Sequence, residues 1–181
     1  AILVGLALGT LLAILRLPQV QNVNARGKGF LPNVGAWIVK GLSKLAGLYI
    51  NIMRGTPLAI QLTIMAFIIM AGFPNKIVVC CVAFGINSGA YVAEIVRSGI
   101  LAVDPGQTEA GRSLGLSSFR TMMYIILPQA AKSALPAMCN EFISLIKETS
   151  VLSYIALTEL TKAGDYIRSR TYSAFTPYIV S

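Results

Sequence analysis

Histidine is absent from the 181 residues, and charge is scarce: 15 Lys and Arg stand against 7 Asp and Glu, 12% of the chain. The first absence removes His-ligated metals, His general bases and Ser-His-Asp chemistry together. No H-E-x-x-H motif or G-x-G-D-type acid pair replaces them, so the sequence offers no catalytic constellation for a membrane enzyme. The phosphate loop G-x-x-x-x-G-K-[ST] is also missing, so the chain cannot cradle a nucleotide by that mechanism. Cys80, Cys81 and Cys139 are odd in number and lack the paired spacing of a zinc or disulfide framework; they read as small packing residues. Acidic residues are missing altogether before Glu94.

With 55% hydrophobic residues and a mean hydropathy of +0.71, the chain sits far from the quarter-charged composition of soluble domains. The expected class is an all-α integral membrane protein. A net charge of +8 would point to nucleic acid in a soluble chain, but here its placement among loops carries the information, and no nucleic-acid partner is expected. Apolar runs cover residues 2–15, 58–72, 77–93 and 130–156, and residues 177–181 turn apolar again. The first and last read as incomplete spans of a five-span protein, and the third reaches comfortable length only by continuing through residues 94–100. Residues 19–33 read as a connection. Residues 34–53 show helical spacing, with Lys40 and Lys44 on one face of a helix lying at or entering the membrane surface, where the bilayer is the partner. Arg54-Gly55-Thr56-Pro57 interrupts that helix as an elbow, with Thr56 positioned to cap the next.

The segment from Arg16 to Arg54 carries six bases and no acid, and the segment 97–132 carries Arg97, Arg112, Arg120 and Lys132 against Asp104 and Glu109. The positive-inside rule puts both in the cytoplasm, with the Lys76 turn and the mixed segment 158–176 outside, so the first residue starts outside.

Residues 104–128 are too polar to be membrane yet lie between apolar runs. Asp104 is an N-cap, Pro105 suits the first helical turn, and Gln107 could reach back to the cap. Gly115 can end that helix in the left-handed conformation, and Ser117 or Ser118 can start another towards Pro128. A helix, a tight turn and a second helix are expected on the cytoplasmic side.

Glu109-Ala110-Gly111, Gly115, Ile125, Leu127 and Pro128 reproduce at every position the spacing EAA, three residues, G, nine residues, I, one residue, LP. This resembles the EAA loop of binding-protein-dependent ABC importer permeases. Arg54-Gly55-Thr56-Pro57-Leu58, the run from Asn87 to Arg97 and the run from Asn140 to Ser150 resemble the polar amino acid branch of that family. The one departure is Gly111 for the second Ala, expected to loosen the first helix by about 1 kcal/mol.

The resemblance covers nearly the whole chain and implies a single type I ABC importer permease domain over residues 1–181, in a bacterial-type inner membrane. It implies a second permease subunit, identical or similar, two ABC ATPase subunits that hold the ATP and Mg, and an extracytoplasmic substrate-binding protein. No cofactor is expected in the chain itself. The loop 104–128 becomes the coupling helix, with Glu109, Ala110, Gly111, Leu114, Gly115 and Leu116 at the ATPase groove. A permease for another small solute, or a channel or receptor, are the alternatives; a passive pore has no use for such a loop.

Asn87, Tyr91 and Glu94 fall at i, i+4 and i+7, and Asn140, Ser144 and Lys147 repeat the spacing on the fourth span, with Glu141 and Glu148 close by. Polar groups inside spans face an interior or a cavity, so these eight are candidates for the substrate path; interhelical ion pairs and hydrogen bonds are the competing role. Within the two spans Glu94, Glu141 and Glu148 outnumber Lys147, a mild lean towards cationic or polar substrates.

Overall fold

Small residues decide how the first helix meets one of the longest. The computed structural model describes residues 1–17, 30–173 and 175–180. Within them α1 is Ile2–Leu15, α2 Phe30–Gly55, α3 Leu58–Ile64 and α4 Lys76–Leu101. There follow α5 Pro105–Ser113, α6 Ser118–Thr121, α7 Leu127–Glu148, α8 Leu160–Thr171 and α9 Thr176–Val180. One-turn π-helical segments, Met65–Ile69 and Met122–Ile126, extend α3 and join α6 to α7, and a 3-10 turn, Thr149–Ile155, follows α7.

Helix α1 carries Gly5, Gly9 and Ala13, and α4 carries Gly85, Gly89 and Ala93, each set at four-residue spacing and each buried. The two stripes face one another. A Cβ built on Gly9 would lie 2.7 Å from the Gly89 carbonyl oxygen, and one built on Gly89 2.9 Å from Leu8. Val4 meets Gly85 and Gly5 meets Ser88, so the helices run parallel, in the close backbone approach that small-xxx-small stripes permit between membrane helices. The sequence reading passed over this spacing.

Helix α2 is one continuous helix, and its last third is packed in the bundle rather than at its surface. Ile50 is buried with Ala90 and Ala93, and the Tyr49 hydroxyl donates to the Ile86 carbonyl. Further towards the N-terminus Trp37, Ile38, Lys40, Leu42, Lys44 and Leu45 are exposed, as expected of a helix approaching a membrane surface. The expected connection at 19–33 falls largely outside the described residues, and Arg26 and Lys28 with it; its end, from Phe30, is helical.

The chain bends by 108° between Trp37–Gly55 and Leu58–Ile69. Pro57 has no N–H and blocks continuation, which frees carbonyls at the end of α2. Gln61 takes them: its Nε2 donates to Met53 O at 2.8 Å, to Thr56 O at 3.1 Å and to Thr56 Oγ1 at 2.6 Å. Thr56 therefore does not cap α3. Its hydroxyl donates backwards to Ile52 O at 2.8 Å, and Pro57 occupies the cap position without a side-chain bond.

Helix α4 starts at Asn75, whose Oδ1 accepts from the Ile77 and Val78 amides, and continues past residue 93 to Leu101, 26 residues in all. At 1.5 Å per residue that is about 39 Å, enough to cross a bilayer. It is the described helix that is long and apolar enough alone; Trp37–Gly55 and Leu58–Ile69 pass as a bent pair, and Ile2–Leu15 is apolar but shorter. Leu62, Cys80, Ala83, Phe84, Leu145 and Ile155 form one core cluster, and Leu17, Ile100, Ile126 and Ala130 another. Cys80 packs as expected, whereas Cys81 and Cys139 are exposed in the single chain.

Candidate functional site

Two regions bear on function, one beyond the end of α4 and one along its length. The first is the helix–turn–helix. Asp104 Oδ1 accepts from the Gly106 amide at 2.8 Å and Pro105 opens α5. Gln107 does not complete a capping box; its Oε1 accepts from Gln129 Nε2 at 3.3 Å and so ties α5 to α7. Gly115, at φ +81, is where the chain takes the left-handed turn that ends α5, and the Leu116 amide closes it on Gly111 O at 3.1 Å. Ser117 then caps α6, accepting from the Arg120 amide at 3.3 Å, while Arg112 donates to Ser118 across the turn.

Gly111 is buried against α6. A Cβ there would stand 2.7 Å from Thr121 Cγ2, 3.0 Å from its Oγ1 and 3.1 Å from Ile125 Cδ1. The expected loosening of α5 by glycine is thus answered by contact: Gly111 allows the second helix to lie directly on the first. Glu109, Ala110, Leu114 and Gly115 are exposed and Leu116 half-buried, and Leu114 is 80% and Phe119 72% accessible, an apolar surface outside the bundle that the described residues leave uncovered.

The second region is a polar seam. Glu94 accepts from Arg97 at 2.8 and 3.3 Å and from Arg16, at the end of α1, at 3.2 Å. This carboxylate is a half-buried ion-paired strut between α1 and α4. Asn87 is buried and donates to Gln61 Oε1 at 2.8 Å, holding the α2–α3 bend against α4. Tyr91, between them on the face, lies under the Arg54 guanidinium, 5.4 Å from its centroid. On α7, Glu141 and Glu148 are half-buried, and Glu141 interacts with Ser88, Glu148 and Arg54. Asn140, Ser144 and Lys147 are exposed on α7 and do not join the α4 group in the single chain.

Sequence reasoning brought out the polar face of α4 and overlooked its partners. Arg54, read as part of an elbow, Gln61 and Arg16 all converge on it. Their contribution changes the charge count: Arg16 and Arg97 are taken up by Glu94, while Glu141 and Glu148 make no ion pair among the described residues. A signal existed for Gln61, a long polar side chain in an apolar span, four residues past a proline. Among the described residues no group of three His, Cys, Asp or Glu is placed to hold a metal ion.

A family model described as binding-protein-dependent transport system inner membrane component matches residues 34–180. The chain is 38% identical to a putative glutamine transport system permease protein GlnP of Rickettsia bellii (strain RML369-C), covering 100% of this chain and 76% of that one. It is 37% identical to the glutamine transport system permease protein GlnP of Escherichia coli (strain K12), with 81% and 67% covered. The L-cystine transport system permease protein TcyB of Bacillus subtilis (strain 168) is 39% identical over 73% of this chain and 57% of its own. A crystal structure of an amino acid ABC transporter with histidines superposes with a TM-score of 0.74 at 37% identity, over 99% of this chain and 78% of that one.

Proposed function

Because the chain belongs to the family of binding-protein-dependent transport system inner membrane components, matched over residues 34–180, we propose that it is the permease subunit of an ATP-driven importer of polar amino acids. The observation that carries the reading is the helix–turn–helix of 104–121. It is built by two side-chain caps, a left-handed glycine and a glycine-to-threonine contact, and it presents Leu114 and Phe119 uncovered. Such a rigid apolar knob suits the groove of an ATPase: it moves as one body with its partner and passes that motion into α4 and α7, to which it is joined. Glu109, Ala110, Gly111, Leu114, Gly115 and Leu116 carry this coupling. ATP and Mg belong to the partner ATPase, a second permease subunit completes the path, and an external binding protein delivers the substrate.

The names of the relatives, two for glutamine and one for L-cystine, support an amino acid as cargo. Tyr91, Glu141 and Glu148 face that cargo with Arg54, while Asn87 anchors the α2–α3 bend beside it and Glu94 holds the path together through Arg16 and Arg97. The coupling loop lies in the cytoplasm and residue 1 outside, by the distribution of bases. The test is to express the chain with its neighbouring ATPase and binding protein, reconstitute the complex in liposomes and screen ATP hydrolysis over the twenty amino acids. Stimulation by one or a few polar amino acids is expected. Failure of any ATP-hydrolysing subunit to co-purify would refute the coupling role.

A further inference from the structure

Glycine weakens a helix interior, and in α1, α4 and α5 a close neighbour accounts for it. Gly41, inside α2, has no such reason, since a Cβ built there meets nothing within 4 Å. The positions three and four residues away, its neighbours on the helix surface, are Trp37, Ile38, Lys44 and Leu45, and Lys40 is adjacent. All five are exposed, Trp37 at 78%. Gly41 is therefore a notch in an outward face, with Trp37, Lys40 and Lys44 along one flank and Ile38 and Leu45 along the other. Exposed Leu45, Leu48 and Ile52 carry the apolar side of the notch onward along α2 at helical spacing. The positive charge has no answer within the chain. Neither lysine makes an ion pair among the described residues, no acidic residue precedes Glu94, and Glu94 is taken by Arg16 and Arg97.

Helix α1 sets the level of the notch. Leu12 packs against the cluster of Ile50, Ala90 and Ala93, and the Arg16 guanidinium lies 3.8 Å from a Cβ built on Gly47, so the apolar run of α1 ends beside Gly47. Lys44 and Lys40 stand about 5 Å and about 10 Å beyond that level along the helix axis. The headgroup layer of a bilayer is about 5–8 Å deep on each side, and long lysine stems reach back into it. Tryptophan, apolar in body and polar at its N–H, suits the same layer.

On the reading that α2 enters the bilayer from its cytoplasmic side, we propose that the Gly41 notch binds an anionic phospholipid. Lys40 and Lys44 meet the phosphate, the Trp37 indole N–H donates to a headgroup oxygen, the glycerol lies over Gly41, and an acyl chain follows Leu45, Leu48 and Ile52. A zwitterionic phospholipid brings its own cation towards the two lysines, so the site discriminates by headgroup charge.

Trp37 is the sole tryptophan of the chain, and brominated acyl chains quench an indole that they touch. The permease–ATPase complex is reconstituted in phosphatidylcholine vesicles with brominated phosphatidylglycerol or brominated phosphatidylcholine in rising proportion, and subtraction of a Trp37→Phe complex isolates the Trp37 signal. Half-quenching is expected at an about ten- to thirtyfold lower mole fraction of phosphatidylglycerol. Lys40→Gln and Lys44→Gln should each remove about fivefold of that preference, and arginine at either position should keep it. Gly41→Leu changes no charge, fills the notch, and should remove about as much as the loss of one lysine. Excess glycerol 3-phosphate should not reverse the quenching, which separates a lipid from a free phosphate. A preference that survives Gly41→Leu while the lysine variants lose it reports diffuse attraction to a charged surface and overturns the site. Equal quenching by the two lipids, or reversal by glycerol 3-phosphate, overturns it too, and in all these cases the importer reading stands. Quenching of Trp37 by neither lipid takes this end of α2 off the membrane surface and the inference with it.

Discussion

Replacing Gly9 by alanine puts a methyl carbon 2.6 Å from Val92 Cβ and 2.7 Å from the carbonyl oxygen of Gly89. One of those neighbours is backbone and the other is a branched stem close to it, so neither can swing aside. Ordinary contact begins near 3.4 Å, so α1 and α4 must part by about 0.7 Å at this level. Both helices are straight stripes of glycine and alanine here, and the parting weakens contacts above and below as well, at Gly5 with Ser88 and at Gly89 with Leu8. Overpacking of this kind costs about 1–3 kcal/mol, and 2 kcal/mol lowers a folding equilibrium constant roughly thirtyfold. Gly41→Ala is the matched control. That position, inside α2, has nothing within 4 Å of an added Cβ, and alanine in a helix is better than glycine by about 0.5–1 kcal/mol. Denaturation of the complex in detergent, followed by circular dichroism with temperature or denaturant, should therefore move in opposite directions for the same chemical change. A Gly9→Ala protein as stable as wild type, or a Gly41→Ala protein that loses as much, would refute the close-packed parallel pair.

Three further outcomes follow from the site. Gly111→Ala restores the residue the EAA pattern carries and should nevertheless destabilise by about 1–3 kcal/mol, since the new Cβ meets Thr121 at 2.7 Å. Thr121→Ala should relieve most of that loss, giving a coupling energy of about 1 kcal/mol or more in a double-mutant cycle read by thermal denaturation. Glu94→Gln leaves Arg16 and Arg97 without their carboxylate and should cost about 1–3 kcal/mol, at the lower end because the pairs are partly exposed; combining it with Arg97→Gln should cost less than the sum of the two. Leu114→Glu alters an exposed position and should change stability by no more than about 0.5 kcal/mol while reducing co-purification of the ATPase; retained association would exclude Leu114 from the docking surface.

The cap at Asp104, the turn at Gly115, the second cap at Ser117 and the extension of the third span beyond residue 93 were all readable in the sequence. Each is decided within a few residues, by a side chain satisfying a nearby backbone N–H, by a backbone angle that favours glycine, or by unbroken apolar character. Thr56 and Gln107 show the limit of local rules. Both are chemically able to cap, but Gln61 had already claimed one and Gln129 the other, from five and twenty-two residues away. Gly111 shows it again: by helix propensity it is a weakness, and only the position of Thr121 makes it a fit.

The sequence by itself determined that this is a membrane chain of the binding-protein-dependent importer family, because composition, the spacing of the EAA pattern and the absence of a phosphate loop need no contact between distant residues. Tertiary structure alone decided what the polar residues do. Glu94 became a strut because α1 runs parallel to α4 and delivers Arg16 to it, and Asn87 became an anchor because the 108° bend turns Gln61 towards it. Arg54 came to stand 5.4 Å from the centre of the Tyr91 ring because the chain bends at Pro57, a neighbour that its position in sequence could not reveal, since the environment of a side chain is set by whichever helices fold beside it.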